Sequence, residues 1–395
     1  MATLRLSLAE LLYRREFLKL ELEAKLPEES ATRARNDYHA RKPPRPCGFT
    51  VHSVLGCTFA CNYCYLPDMG ISFSSASPYG LRGEEITYAL LSNSYFLPGR
   101  LGSLIAVGSV GEPFVDERGS RKTLEYLAAF SKYLGNPVQF STKALLSEEH
   151  VRALAAMKLP LSPLVTVISL QNHKVLEPHA PSPEERFLTI KRLRQSGLKP
   201  ILFLRPLIPG VNLDDVEDII VEAKNSGAVG VVVGGFRATA TNLTRLKKLG
   251  VNLSEVEARI KKPPQRGEQV PLSMEDLKRK VLNVAREKGL VPFLSACCAN
   301  NFTAYLRDSL RAPCPGLDFI EGKFCTECPV GCPRQKTEVD PEEVKSVVKR
   351  FTGGGELEVT VDDRYIVLSR LMKRKLKPVH KHLLEVGYRR RVLFR

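Results

Sequence analysis

The chain has 395 residues, of which 43% are hydrophobic and 26% are charged, and it carries a net charge of +16. This composition is typical of an ordinary globular protein. The N-terminal stretch MATLRLSLAELLYRREF is interrupted by charged residues and lacks the apolar core of a signal peptide, and no later run reaches transmembrane length. We therefore expect a cytoplasmic protein that makes no use of a membrane.

The first predicted element is a helix close to the N-terminus. Ser7 followed by Glu10 is typical of a helix-capping box. The helical stretch ends in HARKPPRP, which predicts a stiff, basic linker. We place this N-terminal extension at residues 1–46.

The middle of the chain alternates short apolar runs with helical patterns. The runs are rich in Val, Ile, Leu and Phe and are bounded by Gly or Pro, which favours buried parallel strands. They lie at 47–56, 103–110, 137–142, 163–170, 200–206 and 227–235. Six strand–helix units predict an α/β fold, a partial (β/α)6 TIM-like barrel over 47–296, whose chemistry lies at the carboxyl ends of the strands. GLVPFLSACC (289–298) is a possible seventh strand.

The ten cysteines fall into two groups, four between Cys47 and Cys64 and six between Cys297 and Cys332. A disulfide framework would spread its bridges along the chain, so two tight groups predict bound metal instead.

The first group contains the spacing CxxxCxxC directly after the first predicted strand, with Cys57, Cys61 and Cys64. Three thiols are an odd number for disulfides, and a zinc site would need a fourth ligand.

This motif in this position resembles that of the radical S-adenosylmethionine (SAM) superfamily. The resemblance implies that Cys57, Cys61 and Cys64 hold a [4Fe–4S] cluster and leave one iron for SAM. It further implies an enzyme in which the cluster reduces SAM and the resulting 5′-deoxyadenosyl radical abstracts a hydrogen atom. An electron donor such as ferredoxin or flavodoxin is the implied partner. A zinc knuckle is the alternative for these cysteines.

The resemblance also implies cofactor-binding residues, which are Tyr63, Gly111, Glu112, Ser169 and Arg205. Gly111 and Glu112 belong to GSVGEPFVD, which is similar to the superfamily's Gly-Glu-Pro segment and would receive the SAM ammonium group. Ser169 and Arg205 end predicted strands where the superfamily contacts the SAM ribose and carboxylate. The alternative is that they only support the barrel rim.

Two segments narrow the resemblance. STKALL (141–146) and the stretch 177–212 are similar to the spore photoproduct lyase-like branch of the superfamily. The lyase of that branch carries a hydrogen-donor cysteine within its barrel, whereas this chain has no cysteine between Cys64 and Cys297. This departure makes a DNA photoproduct lyase a weaker interpretation.

A second metal site is predicted in the segment 297–339, with the ligands Cys314, Cys325, Cys328 and Cys332. The spacing favours an auxiliary [4Fe–4S] cluster, and structural zinc and free thiols are the alternatives. Cys297 and Cys298 are candidates for a further ligand or a catalytic hydrogen-atom donor, with buried core thiols as the alternative.

Residues 340–395 are predicted to form a small basic α+β module. Between Leu371 and Arg395, nine Lys or Arg residues stand against the single acidic residue Glu385. This excess predicts a polyanion-binding surface, with a solvated basic face as the alternative. The hypothesis is therefore a radical SAM enzyme that modifies a nucleic acid, an RNA such as tRNA. A protein or peptide substrate and a non-catalytic iron–sulfur or redox factor are the alternatives.

Overall fold

A computed structural model describes residues 4–45, 48–314, 328–369 and 376–395. Its helices are α1 (Leu8–Lys25), α2 (Glu28–Asn36), α3 (Tyr38–Arg41), α4 (Gly83–Ser92), α5 (Glu117–Tyr133), α6 (Glu148–Ala155), α7 (His173–Leu176), α8 (Pro183–Gln195), α9 (Val216–Asn225), α10 (Ala240–Lys248), α11 (Ser254–Ala258), α12 (Glu275–Glu287), α13 (Ala296–Asp308), α14 (Pro341–Thr352) and α15 (Pro378–Tyr388).

The strands are β1 (Leu4–Arg5), β2 (Phe49–Val51), β3 (Val54–Leu55), β4 (Ser77–Pro78), β5 (Ile105–Val107), β6 (Val138–Thr142), β7 (Leu161–Thr166), β8 (Ile201–Leu207), β9 (Gly230–Gly235), β10 (Arg237–Ala238), β11 (Val270–Pro271), β12 (Val291–Phe293), β13 (Thr337–Glu338), β14 (Glu358–Val361), β15 (Tyr365–Ser369) and β16 (Arg391–Phe394).

The centre of the molecule is a seven-stranded sheet in the order β2-β5-β6-β7-β8-β9-β12. All neighbouring strands are parallel. Every strand that the sequence predicts is present, and the possible seventh strand joins the sheet as β12. The α/β class and the partial TIM-like barrel are confirmed.

Alternation along the strands separates a core face from an inner face, because successive side chains of a strand point to opposite sides. In β6, Val138 and Phe140 are fully buried in the main hydrophobic core between sheet and helices. Gln139 and Ser141, which alternate with them, line a cavity on the inner side. The sheet therefore carries an apolar outer layer and a partly polar lumen.

Helix α13 fills the lumen at the amino-terminal ends of the strands. It packs in one cluster with inner-face residues Leu104, Leu164 and Val232. Asn300 Nδ2 donates a hydrogen bond to the carbonyl of Pro137, 3.3 Å away, just before β6 begins. The amino-terminal end of the barrel is thus plugged, and the helix belongs to the barrel although the predicted barrel boundary stops at residue 296.

The N-terminal extension divides its contacts between two cores. Ser7 Oγ accepts a hydrogen bond of 3.2 Å from the Glu10 amide, which agrees with the predicted cap. Leu22 and Ala34 are buried in the barrel core. Leu8 is buried in a second core with residues of the C-terminal module.

The C-terminal module is built from α14, α15 and the sheet β14-β15-β16. Strand β1 pairs in parallel with β13, which ties residues near the two ends of the chain together. Leu97, in the connection that precedes β5, belongs to the core of the module. The module therefore sits at the amino-terminal end of the barrel strands, away from their carboxyl ends.

Two of the nine cations behind the predicted polyanion-binding surface are buried. Arg389 is 3% exposed and Arg390 is 2% exposed. The Arg390 guanidinium donates to carbonyl oxygens of Asp362, Thr337 and Tyr388. These two charges therefore lie inside the module. Lys373, Arg374 and Lys375 lie outside the described residues. In the part of the chain that the structure describes, no helix is long and apolar enough to cross a membrane.

Candidate cofactor site in the barrel

A cavity of about 260 Å³ opens at the carboxyl ends of the barrel strands. Its lining includes all three cysteines of the CxxxCxxC motif together with the inner side chains Ser141 and Thr166. The loop that follows β2 thus brings the thiols to the end of the barrel where the sequence predicts the chemistry.

The cysteine loop is held on one side by α7 and by Glu177, which directly follows that helix. The Asn62 amide donates to the Leu176 carbonyl at 2.9 Å, and Asn62 Nδ2 donates to the Val175 carbonyl at 2.7 Å. The Tyr63 hydroxyl donates to Glu177, whose other carboxylate oxygen accepts from Arg186. Glu177 and Arg186 are both fully buried, so they form an internal ion pair beneath the loop.

Helix α10 holds the other side of the loop. Asn242 Nδ2 donates to the Tyr63 carbonyl at 3.0 Å, and Arg245 donates to the Cys64 carbonyl. Thr239 Oγ1 donates to Asp68 at 2.9 Å. Backbone on both sides of Cys64 is therefore fixed by side chains that lie more than a hundred residues away.

The three thiols form a donor set that suits a metal cluster. Burial raises the pKa of Cys57 to about 11 and that of Cys61 to about 12, and it also raises the pKa of Cys64. Positive charge nearby favours the thiolate form, and iron would supply it. Three sulfur donors on one loop, one buried and two partly buried, line the same cavity and fit a [4Fe–4S] cluster with one iron left for a non-protein ligand.

Lys143 brings a positive charge to the same wall. Its Nζ lies 3.9 Å from the Glu177 carboxylate and 5.8 Å from the centroid of the Tyr63 ring. Burial lowers its pKa, but Cys61, Glu177 and Glu112 raise it, and the net direction is upward. Lys143 therefore stays charged beside the thiols.

Gly111 and Glu112 lie where the Gly-Glu-Pro interpretation puts them. Both line the cavity, and Gly111 forms a parallel bridge with Gly56 of the cysteine loop. A Cβ on Gly111 would come within 2.5 Å of the Val54 carbonyl oxygen, so no other residue fits there.

The Glu112 carboxylate is buried and accepts three hydrogen bonds. These come from Thr142 Oγ1 at 2.5 Å, the Lys143 amide at 3.0 Å and the Phe114 amide at 3.2 Å. Burial raises the pKa of Glu112, and the hydrogen bonds and the charge of Lys143 oppose that rise. A cationic ligand group in the cavity would stabilise the carboxylate further.

Ser169 is a correction to the predicted set. It is fully buried and does not belong to the cavity lining, because β7 ends at Thr166, four residues before the predicted run 163–170 ends. Its Oγ donates to Asp215 at 2.5 Å and accepts from the Asn172 amide at 2.9 Å. Ser169 supports the rim, and the β7 residues that line the cavity are Leu164 and Thr166.

Arg205 does line the cavity, and a bulge in β8 directs it there. The pairing of β8 with β9 shifts register between Leu204 and Leu207, which places an extra residue at this point and bends the strand. The stem of Arg205 passes over Gly234, where a Cβ would come within 2.5 Å of Arg205 Cδ.

The cavity wall contains two buried polar atoms that can form hydrogen bonds with a ligand. Ser109 Oγ and Gln139 Oε1 are buried, and neither has a hydrogen-bond partner among the described residues. Buried polar groups without partners are costly, so a polar molecule in the cavity would satisfy them. Together with Gly111 and Glu112 they fit a ligand such as SAM.

The second cysteine group gathers around the start of α13. Cys297, Cys314 and Cys332 are buried in one cluster with partly buried Cys298 and Cys328. Cys325 lies outside the described residues. Among those that are described, no three His, Cys, Asp or Glu side chains of either group already converge as a site for a single ion.

Several residues in or beside the cavity wall are not indicated by the sequence. Lys143, Glu177 and Arg186 lie in the two segments that resemble the lyase-like branch, but the sequence assigns no role to them. A buried charge becomes recognisable only when its partner is seen beside it. The cation Arg237, which also lines the cavity, carried no signal in the sequence.

Comparison with known families identifies the domain that contains this site. Residues 51–223 match the family model described as the radical SAM superfamily. Among solved structures, a spore photoproduct lyase variant with bound AdoMet and dinucleoside spore photoproduct has a TM-score of 0.53 at 13% identity, covering 66% of this chain and 81% of that chain. Another variant of the lyase has a TM-score of 0.51 at 14% identity, covering 64% and 79%. At these identities the likeness shows the fold.

Curated relatives match only part of the chain. An uncharacterised protein of Mycobacterium tuberculosis is 22% identical over 201 residues, which is 48% of this chain and 59% of the relative. An uncharacterised protein of Acidianus two-tailed virus is 25% identical over 201 residues, which is 47% of this chain and 64% of the relative. The chain thus spans less than two thirds of the length of these relatives.

Proposed function

We propose that this protein uses the domain at residues 51–223, which matches the radical SAM family model, to abstract a hydrogen atom from a nucleic acid, an RNA such as tRNA. The observation that carries the choice of substrate is a group of cations on the cavity wall. Each part of the proposal rests on residues of the site.

The cysteine loop and the Gly-Glu-Pro segment would hold the cofactors. Cys57, Cys61 and Cys64 would bind the [4Fe–4S] cluster, and the Glu112 carboxylate would accept the SAM ammonium group. When bound, cluster and SAM together supply a carbon-centred radical that abstracts hydrogen. Tyr63, anchored by Glu177, would keep the loop in place and contribute to the wall of the SAM site.

Three cations meet on the β8–β9 side of the cavity. Arg205 and Arg237 line it, and Lys278 of α12 stands close to both. Burial lowers the pKa of Lys278, and the positive charges of Arg205 and Arg237 lower it further. Because these like charges repel one another, an anionic group bound between them would be stabilised, and phosphate is the anion that arginine clusters bind best.

A fourth cation reaches the cavity from the N-terminal linker. Arg45 lies in the basic stretch HARKPPRP, is bridged to Gly48, and lines the same cavity. Cations on two sides of an opening match a ligand with repeated negative charges, such as a polynucleotide backbone. Among solved neighbours, the lyase variant described above binds a dinucleoside, and we extend that ligand class to this chain as part of the proposal.

The same proposal includes an auxiliary [4Fe–4S] cluster in the second cysteine group, with zinc as the other metal that such thiols bind. It also includes reduction by a donor such as ferredoxin or flavodoxin and a cytoplasmic location.

The test is a comparison of nucleosides. Total RNA from cells with and without the gene would be digested and analysed by mass spectrometry, and we expect one modified nucleoside to disappear with the gene. Identical nucleoside profiles would overturn the RNA substrate. A change in peptide mass instead would favour a protein or peptide substrate.

Binding measurements test the cation group directly. Arg237→Ala and Lys278→Ala should each weaken tRNA binding and reduce the slope of log affinity against log salt by about one. Lys280→Ala, an exposed cation on the same helix, is the matched control. Equal effects of Lys280→Ala, Arg237→Ala and Lys278→Ala would show that binding is non-specific.

A further inference from the structure

The second cysteine group is assembled from two distant segments. The Cys298 thiol, in the first turn of α13, lies within hydrogen-bonding reach of the thiols of Cys297 and Cys314. The Cys314 amide donates to Cys332 Sγ at 3.4 Å, and Cys328 interacts electrostatically with Cys298. Cys298, Cys314, Cys328 and Cys332 therefore lie in one cluster around the start of α13.

The surroundings of these thiols are apolar. Phe293, Phe302 and Val330 are buried in the same cluster. None of the described cysteines is joined in a disulfide. Metal–thiolate sites require several thiols that lie close together and are not joined in disulfides. The described cysteines of this apolar cluster meet that requirement.

Arg389 of the C-terminal module points to a negative charge at this site. Its Nη2 donates to the carbonyls of Leu101 and Gly102 at 2.5 and 3.1 Å. Its Nε and Nη1 are buried and have no hydrogen-bond partner in the described part of the chain. The guanidinium interacts electrostatically with Cys314 and Cys332. A buried cation with two unused donors is costly unless an anion lies beside it.

We infer that Cys298, Cys314, Cys328 and Cys332 are the four ligands of the auxiliary [4Fe–4S] cluster, and that Arg389 donates hydrogen bonds to its sulfur atoms. Within the proposed function, this inference names the ligand set. Cys298 takes the place that the sequence assigns to Cys325. Four thiolates give the cluster a net negative charge, which Arg389 offsets.

The position of the site connects it to the radical chemistry. Ala296, the first residue of α13, lines the cofactor cavity, and Cys298 follows it by two residues. The first turn of α13 therefore contributes Ala296 to the wall of the cofactor cavity and Cys298 to the auxiliary site. A cluster bound here would lie beside the wall of the cofactor cavity.

Iron counting separates this inference from the radical SAM function. In the full-length triple variant Cys57→Ala, Cys61→Ala and Cys64→Ala, anaerobic reconstitution should leave about four iron atoms, all in the auxiliary cluster. Adding Cys298→Ser should remove them, whereas adding Cys297→Ser or Cys325→Ser should not. SAM cleavage is not measured here, so the outcome does not depend on the first cluster.

Arg389 is tested by a property that a purely structural role would not change. Arg389→Gln in the same background should retain iron but lower the midpoint potential of the cluster, measured by redox titration followed by electron paramagnetic resonance, because a neighbouring positive charge favours the reduced form. Arg389→Lys, which keeps the charge, should shift the potential less. Arg390→Gln, a buried arginine that bonds to backbone carbonyls, is the control and should leave the potential unchanged.

Three results would overturn the inference. Iron retained after Cys298→Ser but lost after Cys325→Ser would assign the fourth ligand to Cys325. Zinc in place of iron, measured by elemental analysis of the same samples, would refute the cluster. Equal potentials in the Arg389→Gln and Arg390→Gln variants would remove Arg389 from the site.

Discussion

The two cysteine groups reach their sites by opposite routes. Cys57, Cys61 and Cys64 lie within eight residues of one another on a single loop. The second group draws on the start of α13 and on segments up to 34 residues further along the chain, and Arg389 comes from another module altogether. The first site is local in sequence, and the second exists only in the folded molecule.

The two sites therefore depend on different contacts for their rigidity. A short loop of three cysteines has many conformations, so it depends on anchors such as Asn242 and the Glu177–Arg186 ion pair. The second group is embedded in the hydrophobic cluster around α13, which holds its segments by packing. We therefore expect the first site to be sensitive to its polar anchors and the second to the integrity of the tertiary contacts.

Removal of the first thiols should have the largest effect. The triple variant Cys57→Ala, Cys61→Ala and Cys64→Ala should abolish reductive SAM cleavage, because no protein ligand would remain for the SAM-binding cluster. Iron should fall from about eight to about four atoms per chain, measured by iron analysis together with 5′-deoxyadenosine release. Cleavage that persists in this variant would contradict the role of the motif.

Breaking the anchor of the loop should cost stability. Arg186→Met leaves the Glu177 carboxylate buried without its partner, which should lower the free energy of unfolding by about 3–5 kcal/mol. Urea denaturation measures the change. Arg152→Met, which removes an exposed ion pair with Glu148, is the control and should produce no measurable loss. Equal stability of the two variants would mean that the ion pair does not hold the loop.

The SAM ammonium site should respond without loss of iron. Glu112→Ala should weaken SAM binding by about 2–3 kcal/mol, or about 30- to 150-fold, because a charge-assisted hydrogen bond is lost. Equilibrium binding to the reconstituted protein provides the measurement. Thr142→Val removes one internal hydrogen bond to the carboxylate but keeps its charge, so it should weaken SAM binding less. Unchanged affinity in Glu112→Ala would place the ammonium elsewhere.

Acidification should loosen the C-terminal module, on which Arg389 depends. Burial lowers the pKa of His382 from 6.5 to about 4, so the folded state holds this ring neutral while the unfolded chain takes up a proton below about pH 6.5. Stability from this residue is therefore complete above pH 6.5 and declines as the pH falls towards 4, by an amount on the order of 1–3 kcal/mol.

Thermal unfolding at pH 7 and pH 5 would measure this decline. His382→Phe cannot take up a proton and keeps an aromatic ring beside Tyr95, whose ring centroid lies 5.4 Å from that of His382. The variant should lose less stability between the two pH values than the natural chain. An identical loss in both would assign the acid sensitivity to other groups.

The sequence indicated the barrel and the first site because both depend on short-range patterns. Apolar runs separated by amphipathic stretches predict parallel strands, and all seven are present. The CxxxCxxC loop and Gly111 with Glu112 line one cavity as predicted, since each directly follows a strand. The error at Ser169 came from a strand that ends four residues before the apolar run does, a detail that hydrophobicity does not reveal.

Other features were decided by contacts between residues far apart in the chain. The sequence shows nine Lys and Arg residues near the C-terminus. Only the folded structure shows that two of them, Arg389 and Arg390, are buried. The domain boundaries predicted from composition separate α13 from the barrel that it plugs. They also separate residues near Leu8 from the C-terminal module, although both belong to one hydrophobic core. Amphipathic patterns show that a helix has a buried face without showing what covers it.

The fold class, the CxxxCxxC motif and the end of the barrel at which that motif lies follow from the sequence alone, because backbone periodicity and closely spaced cysteines are properties of neighbouring residues. Only the tertiary structure decided which charges are buried, which cations meet at the cavity, and that Cys298 joins Cys314 beside Arg389. A buried charge or thiol is tolerated only where its partner lies, and that partner is brought to it by folding.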